Sequence, residues 1–177
     1  RLINDLLDMD KLNAGKLQIE LVRQPLEPLL QRALQLNQSY AAQYGVQQQL
    51  GQVDAVEVNV DAQRLGQVLA NYLSNAAKFS NAGDAITLSA VAENGWVEIS
   101  VEDRGIGIPE QEQPRIFDKF FQVDSSNTRK RAGSGLGLAI SRELARRMGG
   151  DVGFVSTAGV GSRFWIRLPL ADVAYCG

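Results

Sequence analysis

Residues 85–101 read AITLSAVAENGWVEISV. Ala85 to Val91 and Trp96 to Val101 each carry β-branched and apolar residues at strand spacing, and Asn94-Gly95 sits between them. Asn-Gly favours the positive φ angles of a tight two-residue turn, so the stretch predicts a β-hairpin. Working outward, Asp61 can cap a helix that runs to about Phe79, and a second helix is expected from about Gly135 to Met148, ended by Gly149-Gly150. Shorter strand patterns lie at Leu17–Arg23, Val46–Leu50, Val56–Val60, Asp151–Ser156 and Arg163–Leu168. Leu26 to Tyr44 has apolar residues at helical spacing. Antiparallel strands mixed with a few amphipathic helices predict an α+β two-layer sandwich: a mostly antiparallel mixed sheet with helices on one face.

The chain has 177 residues, 45% hydrophobic and 21% charged, which suits one globular domain or one domain with a short appended element. Eighteen basic against 20 acidic residues leave a formal charge of -2, a balance that does not call for nucleic acid or for direct membrane contact. No apolar run is long enough to span a bilayer. The single cysteine, Cys176, cannot form an internal disulfide. The chain contains no histidine. That excludes histidine zinc sites, Ser-His-Asp triads and imidazole general bases within it. Its chemistry falls to carboxylates, amides, lysines, arginines and backbone groups.

Asn71, Asn75 and Lys78 stand four and three residues apart on the expected helix, so they share a face. Leu65, Val68, Leu69, Tyr72, Leu73 and Ala76 are left to pack on the sheet. The polar row suits an oxygen-rich ligand, since an amide oxygen can meet Mg²⁺ and an ammonium can meet phosphate; it equally suits a solvated surface. In Val101–Pro109 a strand ends in Asp103, followed by Gly105, Gly107 and Ile108. The acid can accept from an exocyclic amine such as that of adenine, or the segment is a plain glycine turn. Gly133, Ser134, Gly135, Leu136, Gly137 and Leu138 precede a helix, behind Arg129, Lys130 and Arg131. Backbone N–H groups there make either an anion site or a ligand-free hinge. The spacing fits neither the P-loop nor the Rossmann fingerprint. Phe117, Phe120 and Phe121 fall between the two glycine segments, as anchors or as core.

These segments, in this order, resemble the motif set of sensor histidine kinase catalytic domains. Asn71–Phe79 matches the N box, Asp103–Gly107 the first glycine box, Phe117–Phe121 the F box and Gly133–Leu138 the second glycine box. Gly161, Ser162, Phe164 and Leu168-Pro169 resemble the closing strand. The resemblance implies the Bergerat ATP-binding fold, shared with DNA gyrase and MutL. It makes ATP and Mg²⁺ the expected ligands and Asn75 the metal ligand, with Asn71 beside the phosphates, Lys78 on a phosphate and Phe79 near the nucleotide. It places Asp103 on the adenine amino group, with Gly105, Gly107, Ile108 and Ser162 around the base. Gly133 to Leu138 would wrap the phosphates, and Arg129 and Lys130 would reach the γ-phosphate. Hydrolysing relatives carry a glutamate base where this chain has Asn71, and an amide cannot take a proton at neutral pH. The activity implied is therefore phosphoryl transfer from ATP to a histidine, the alternative being an ATPase or nucleotide-binding module of the same fold. The resemblance further implies that residues 1–16 are the end of a dimerisation-hairpin helix, 17–170 the catalytic domain and 171–177 a tail. The partners implied are a phosphoacceptor histidine domain of the same full-length homodimer and a downstream response regulator. The setting implied is a cytoplasmic domain of a protein often anchored in the inner membrane.

Overall fold

The computed structural model describes residues 2–15, 17–118 and 136–171. Helix α1 (Leu2–Asn13) leads to strand β1 (Val22–Pro25), α2 (Glu27–Gln43), β2 (Gln47–Val53) and β3 (Glu57–Val60). Then come α3 (Ala62–Phe79), β4 (Ala85–Glu93), β5 (Trp96–Asp103) and a 3-10 turn (Glu110–Arg115). Helix α4 (Gly137–Arg147) and strands β6 (Asp151–Thr157) and β7 (Gly161–Pro169) complete the described chain. A five-stranded sheet has the order β2-β4-β5-β7-β6, with β2 parallel to β4 and the other pairs antiparallel. The hairpin forms as expected: Glu93 pairs with Trp96, and Asn94 and Gly95 take φ of 53° and 84°.

The strands alternate. Ile86, Leu88, Ile99, Ile166 and Leu168 are fully buried, while Glu102 and Arg167 on the opposite face are exposed. Helices α2, α3 and α4 cover the apolar face. Asp61 caps α3, its carboxylate accepting from the N–H groups of Gln63 and Arg64 at 3.1 and 3.2 Å; such a cap is worth about 1 kcal/mol. Leu65, Leu69 and Leu73, spaced four apart, are fully buried. Each contributes roughly 1.5–3 kcal/mol relative to an exposed position. Together these arrangements give the two-layer α+β architecture.

The structure departs from the sequence reading in several places. The strand expected over Leu17–Arg23 exists only as Val22–Pro25, paired with the four residues of β3; just beyond β3 the Asp61 carboxylate accepts from Glu20 N–H at 3.1 Å in place of a ladder bond. The alternation there reflects Leu17 and Ile19 packing on the core. This pair forms a second, two-stranded sheet where one sheet was expected. Strand β2 runs on to Val53, its backbone paired with β4 despite glutamine-rich side chains. Helix α1 packs through Met9 and Leu12, and Arg147 Nη2 donates to the Leu12 carbonyl at 3.0 Å. No described helix is long and apolar enough to cross a membrane.

Candidate active site

The last turns of α3 and the end of β5 meet over one cavity. Its described lining includes Asn75, Ala76 and Phe79 from α3, Asp103 from β5 and Ile106 to Ile108 from the loop that follows. Ile116, Leu138 and, from β7, Ser162 and Phe164 close it. Asp103 is the one acid among these residues.

Asp103 is 7% exposed, and its Oδ1 accepts from Gly105 N–H at 2.9 Å and from Ser162 N–H at 3.3 Å. Among the described residues no hydrogen bond is seen at Oδ2, the oxygen available to a ligand. Burial pushes the carboxyl above the ordinary aspartate value, and the two backbone N–H groups pull the other way. The site thus holds a desolvated acceptor whose direction is set by the main chain.

The loop after Asp103 is pinned on both sides. Ile106 N–H donates to the Phe79 carbonyl at 3.1 Å, satisfying a carbonyl at the end of α3. Gly159 N–H donates to the Ile106 carbonyl at 2.7 Å. A Cβ at Gly105 would collide with the Phe79 carbonyl. One at Gly107, whose φ is +69°, would collide with the Thr157 carbonyl. The space that these glycines leave open is taken by protein backbone, a use that motif spacing alone does not reveal.

Asn71 stands one turn before Asn75, against the start of α4. A Cβ at Gly137 would collide with the Asn71 side-chain oxygen. Asn71 Nδ2 lies 3.4 Å from Ser141 Oγ, which donates to the Gly137 carbonyl at 2.8 Å. Asn71, Lys78, Gly105, Leu136 and Gly137 are not part of the cavity's described lining. Lys78 is 8% exposed in the final turn of α3, so it is buried rather than solvated. The helix C-terminus favours a cation there. Leu136 is fully buried and Leu138 partly so. Arg129, Lys130, Gly133, Ser134 and Gly135, with Phe120 and Phe121, lie outside the described residues.

Phe117 packs on Phe154, whose ring stacks on Phe164; Phe164 in turn meets Tyr72. Tyr72 donates its hydroxyl to the Trp165 carbonyl at 3.0 Å, and burial holds its phenol above the usual value. Of the lining residues, Ala76, Ile106, Ile116 and Phe164 were not among the expected site residues. Phe164 was legible as the residue two beyond Ser162 on a strand, sharing its face. Ile116 gave no signal of its own.

Residues 60–172 match the family model described as "Histidine kinase-, DNA gyrase B-, and HSP90-like ATPase". The signal transduction histidine-protein kinase BarA of Escherichia coli K12 is 39% identical over 175 residues, covering 96% of this chain and 19% of BarA. The sensor histidine kinase RcsC of the same organism is 38% identical over 181 residues, covering 99% of this chain and 18% of RcsC. The chain thus spans about a fifth of the length of these curated relatives. Full-length ShkA, crystallised in complex with AMPPNP, superposes with a TM-score of 0.84 at 34% identity, over 96% of this chain and 35% of ShkA. The chain belongs to the histidine kinase-, DNA gyrase B- and HSP90-like ATPase family, and within it to the catalytic domains of sensor histidine kinases.

Proposed function

We propose that this chain binds ATP with Mg²⁺ and donates the γ-phosphoryl group to a histidine on a separate dimerisation segment. The observation that carries this reading is the meeting of Asp103 and Asn75 in one cavity. Asp103 takes the adenine amino group through Oδ2, with Ser162, Gly105, Gly107 and Ile108 shaping the base end. Asn71, Asn75, Lys78 and Phe79 take the phosphate end, with Leu136, Gly137 and Leu138 at the start of α4. Arg129, Lys130, Gly133, Ser134 and Gly135 complete the phosphate contacts.

The donor set fits a metal that arrives with the nucleotide. No cluster of three metal-ligating side chains is present among the described residues. Magnesium commonly completes its shell with water and substrate phosphates. Asn75 would supply an amide oxygen to it, and the ion would offset charge on the phosphates. In the transfer, an imidazole nitrogen of the acceptor bonds to the γ-phosphorus as the bridging P–O bond breaks, and the electron pair leaves on ADP. This chain contributes alignment and electrostatic stabilisation, the main requirements of phosphoryl transfer. Among the described lining residues hydrolysis lacks a base: Asp103, the one acid, is tied at the base end, and the amide of Asn71 cannot accept a proton. That disfavours the reading as a self-contained ATPase.

We assign residues 1–16 to the end of the dimerisation hairpin, 17–170 to the catalytic domain and 171–177 to a tail. The setting is a cytoplasmic portion of a homodimeric sensor kinase that signals to a response regulator. Calorimetric titration with a non-hydrolysable ATP analogue, with and without Mg²⁺, tests the pocket. Micromolar binding that Mg²⁺ strengthens is expected, and no binding by the folded chain would overturn the reading. Labelled phosphate should then pass from ATP to a histidine-bearing hairpin supplied in trans.

A further inference from the structure

We infer that Ser156, which does not line the cavity, sets the donor–acceptor polarity of the base pocket and thereby its preference for adenine over guanine. The inference rests on the adenine reading of Asp103.

Ser156 lies on β6 directly opposite Ser162 on β7. The two hydroxyl oxygens are 2.7 Å apart, and either can donate. Ser156 Oγ also accepts from Ile108 N–H at 2.8 Å and lies 3.2 Å from the Gly161 carbonyl. A hydroxyl has one hydrogen and two lone pairs. Ile108 occupies one lone pair, so the hydrogen of Ser156 has two destinations. If it goes to Gly161, Ser162 must donate to Ser156 and turn its lone pairs toward the cavity. If it goes to Ser162, the Ser162 hydrogen is released to the cavity. The Gly161 contact is longer than an ordinary O–H···O bond, whereas the Ser162 contact is at the usual length. A ligand acceptor beside Ser162 therefore selects the second arrangement at little cost.

The pocket then presents an acceptor at Asp103 and, beside it, a donor at Ser162. Adenine's edge offers an amino donor next to the N1 acceptor. Guanine offers the reverse, a carbonyl oxygen next to an N–H. A site of paired, buried polar groups disfavours the reversed pattern, because the Asp103 contact is left unmatched and the Ser162 contact is kept only by moving the Ser156 hydrogen to the longer Gly161 contact. Gln113 keeps this geometry in place: its Nε2 donates to the carbonyls of Ile108 and Ser156 at 3.0 and 3.1 Å. Ile108 is thus held at its N–H by Ser156 and at its carbonyl by Gln113.

The test is calorimetry of the whole chain with non-hydrolysable ATP and GTP analogues in the presence of Mg²⁺. Wild type should favour the adenine nucleotide. Ser156→Ala should narrow that ratio by about fivefold, the equivalent of one ordinary net hydrogen bond, and Ser156→Thr should restore it. Ser156→Cys, which fills the same space with a poor donor, should narrow the ratio as well and serves if the alanine variant does not fold. Adding Ser156→Ala to Ser162→Ala should change the ratio no further, since Ser156 acts through Ser162. Equal loss of both affinities would reduce Ser156 to a structural support and overturn the inference, as would an unchanged ratio. Wild type without adenine preference, or Asp103→Ala with undiminished affinity, would instead mean that the adenine reading itself is wrong.

Discussion

The two ends of the cavity are built by different means. At the base end the groups are held by main chain: Asp103 by the N–H groups of Gly105 and Ser162, and the glycine loop by the ends of α3 and β6. At the phosphate end, Asn71 and Asn75 reach out from a helix face, and among the described residues the Asn71 amide makes a single long hydrogen bond, 3.4 Å to Ser141. Backbone-held groups are oriented before a ligand arrives. Groups on side chains can adjust at the cost of rotamer entropy. A base is a rigid plane read by fixed contacts, whereas a transferring phosphoryl group changes geometry as it reacts. The division of labour matches that chemistry.

The largest expected effect breaks the base end. Asp103→Ala should weaken binding of an ATP analogue on the order of 10- to 100-fold, the worth of a hydrogen bond to a charged acceptor. Unchanged affinity by calorimetry would mean that the two ends are not parts of one nucleotide site. Next, Gly107→Ala should lower stability by about 1–3 kcal/mol, because φ of +69° and a backbone carbonyl in the way leave the new methyl nowhere to go. Denaturant unfolding measures this, and a loss under about 0.5 kcal/mol, the range of ordinary surface substitutions, would show that the loop can yield.

Asp103→Asn sharpens the comparison through pH. Burial raises the folded-state pKa of Asp103 above its ordinary 3.8. The folded chain therefore binds that proton more tightly than the unfolded chain does. The stability gained is fully present below the unfolded value and is lost as pH rises through the folded one. At neutral pH the buried charge is a cost that asparagine lacks. Without nucleotide, Asp103→Asn should melt higher than wild type at pH 7, with the difference shrinking in acid, while it binds ATP more weakly. A lower melting temperature at pH 7 would contradict this account. The smallest expected effect falls at the phosphate end. The methyl of Gly137→Ala meets first the amide at the end of the Asn71 side chain, which can rotate away. Stability should change by less than about 1 kcal/mol, while phosphotransfer falls because Asn71 is displaced. A loss as large as that of Gly107→Ala would show that this end, too, is rigid.

Much of this was legible in the sequence. The Asn94-Gly95 hairpin and the capped helix from Asp61 formed where turn and capping chemistry put them, because both are local preferences of a few residues. The pocket's polar members Asn75 and Asp103 were visible as motif residues, and the structure brings them to one cavity. Less legible were the contributions that depend on distant partners. Ser156 had no motif, and its importance lies in facing Ser162 across a ladder. Lys78 looked like part of an open polar face yet is buried, an outcome of packing that local spacing does not reveal.

The long helices, the central hairpin and the chemical types at the site can be read from the chain alone, since periodicity, caps, turns and the absence of histidine are local properties. The tertiary structure alone decided the partners: which strand lies opposite β1, which backbone fills the space beside Gly105 and Gly107, and which hydroxyl polarises Ser162. These are contacts between residues far apart in the chain. Only burial and register, set by the packing of the sheet against its helices, could choose among them.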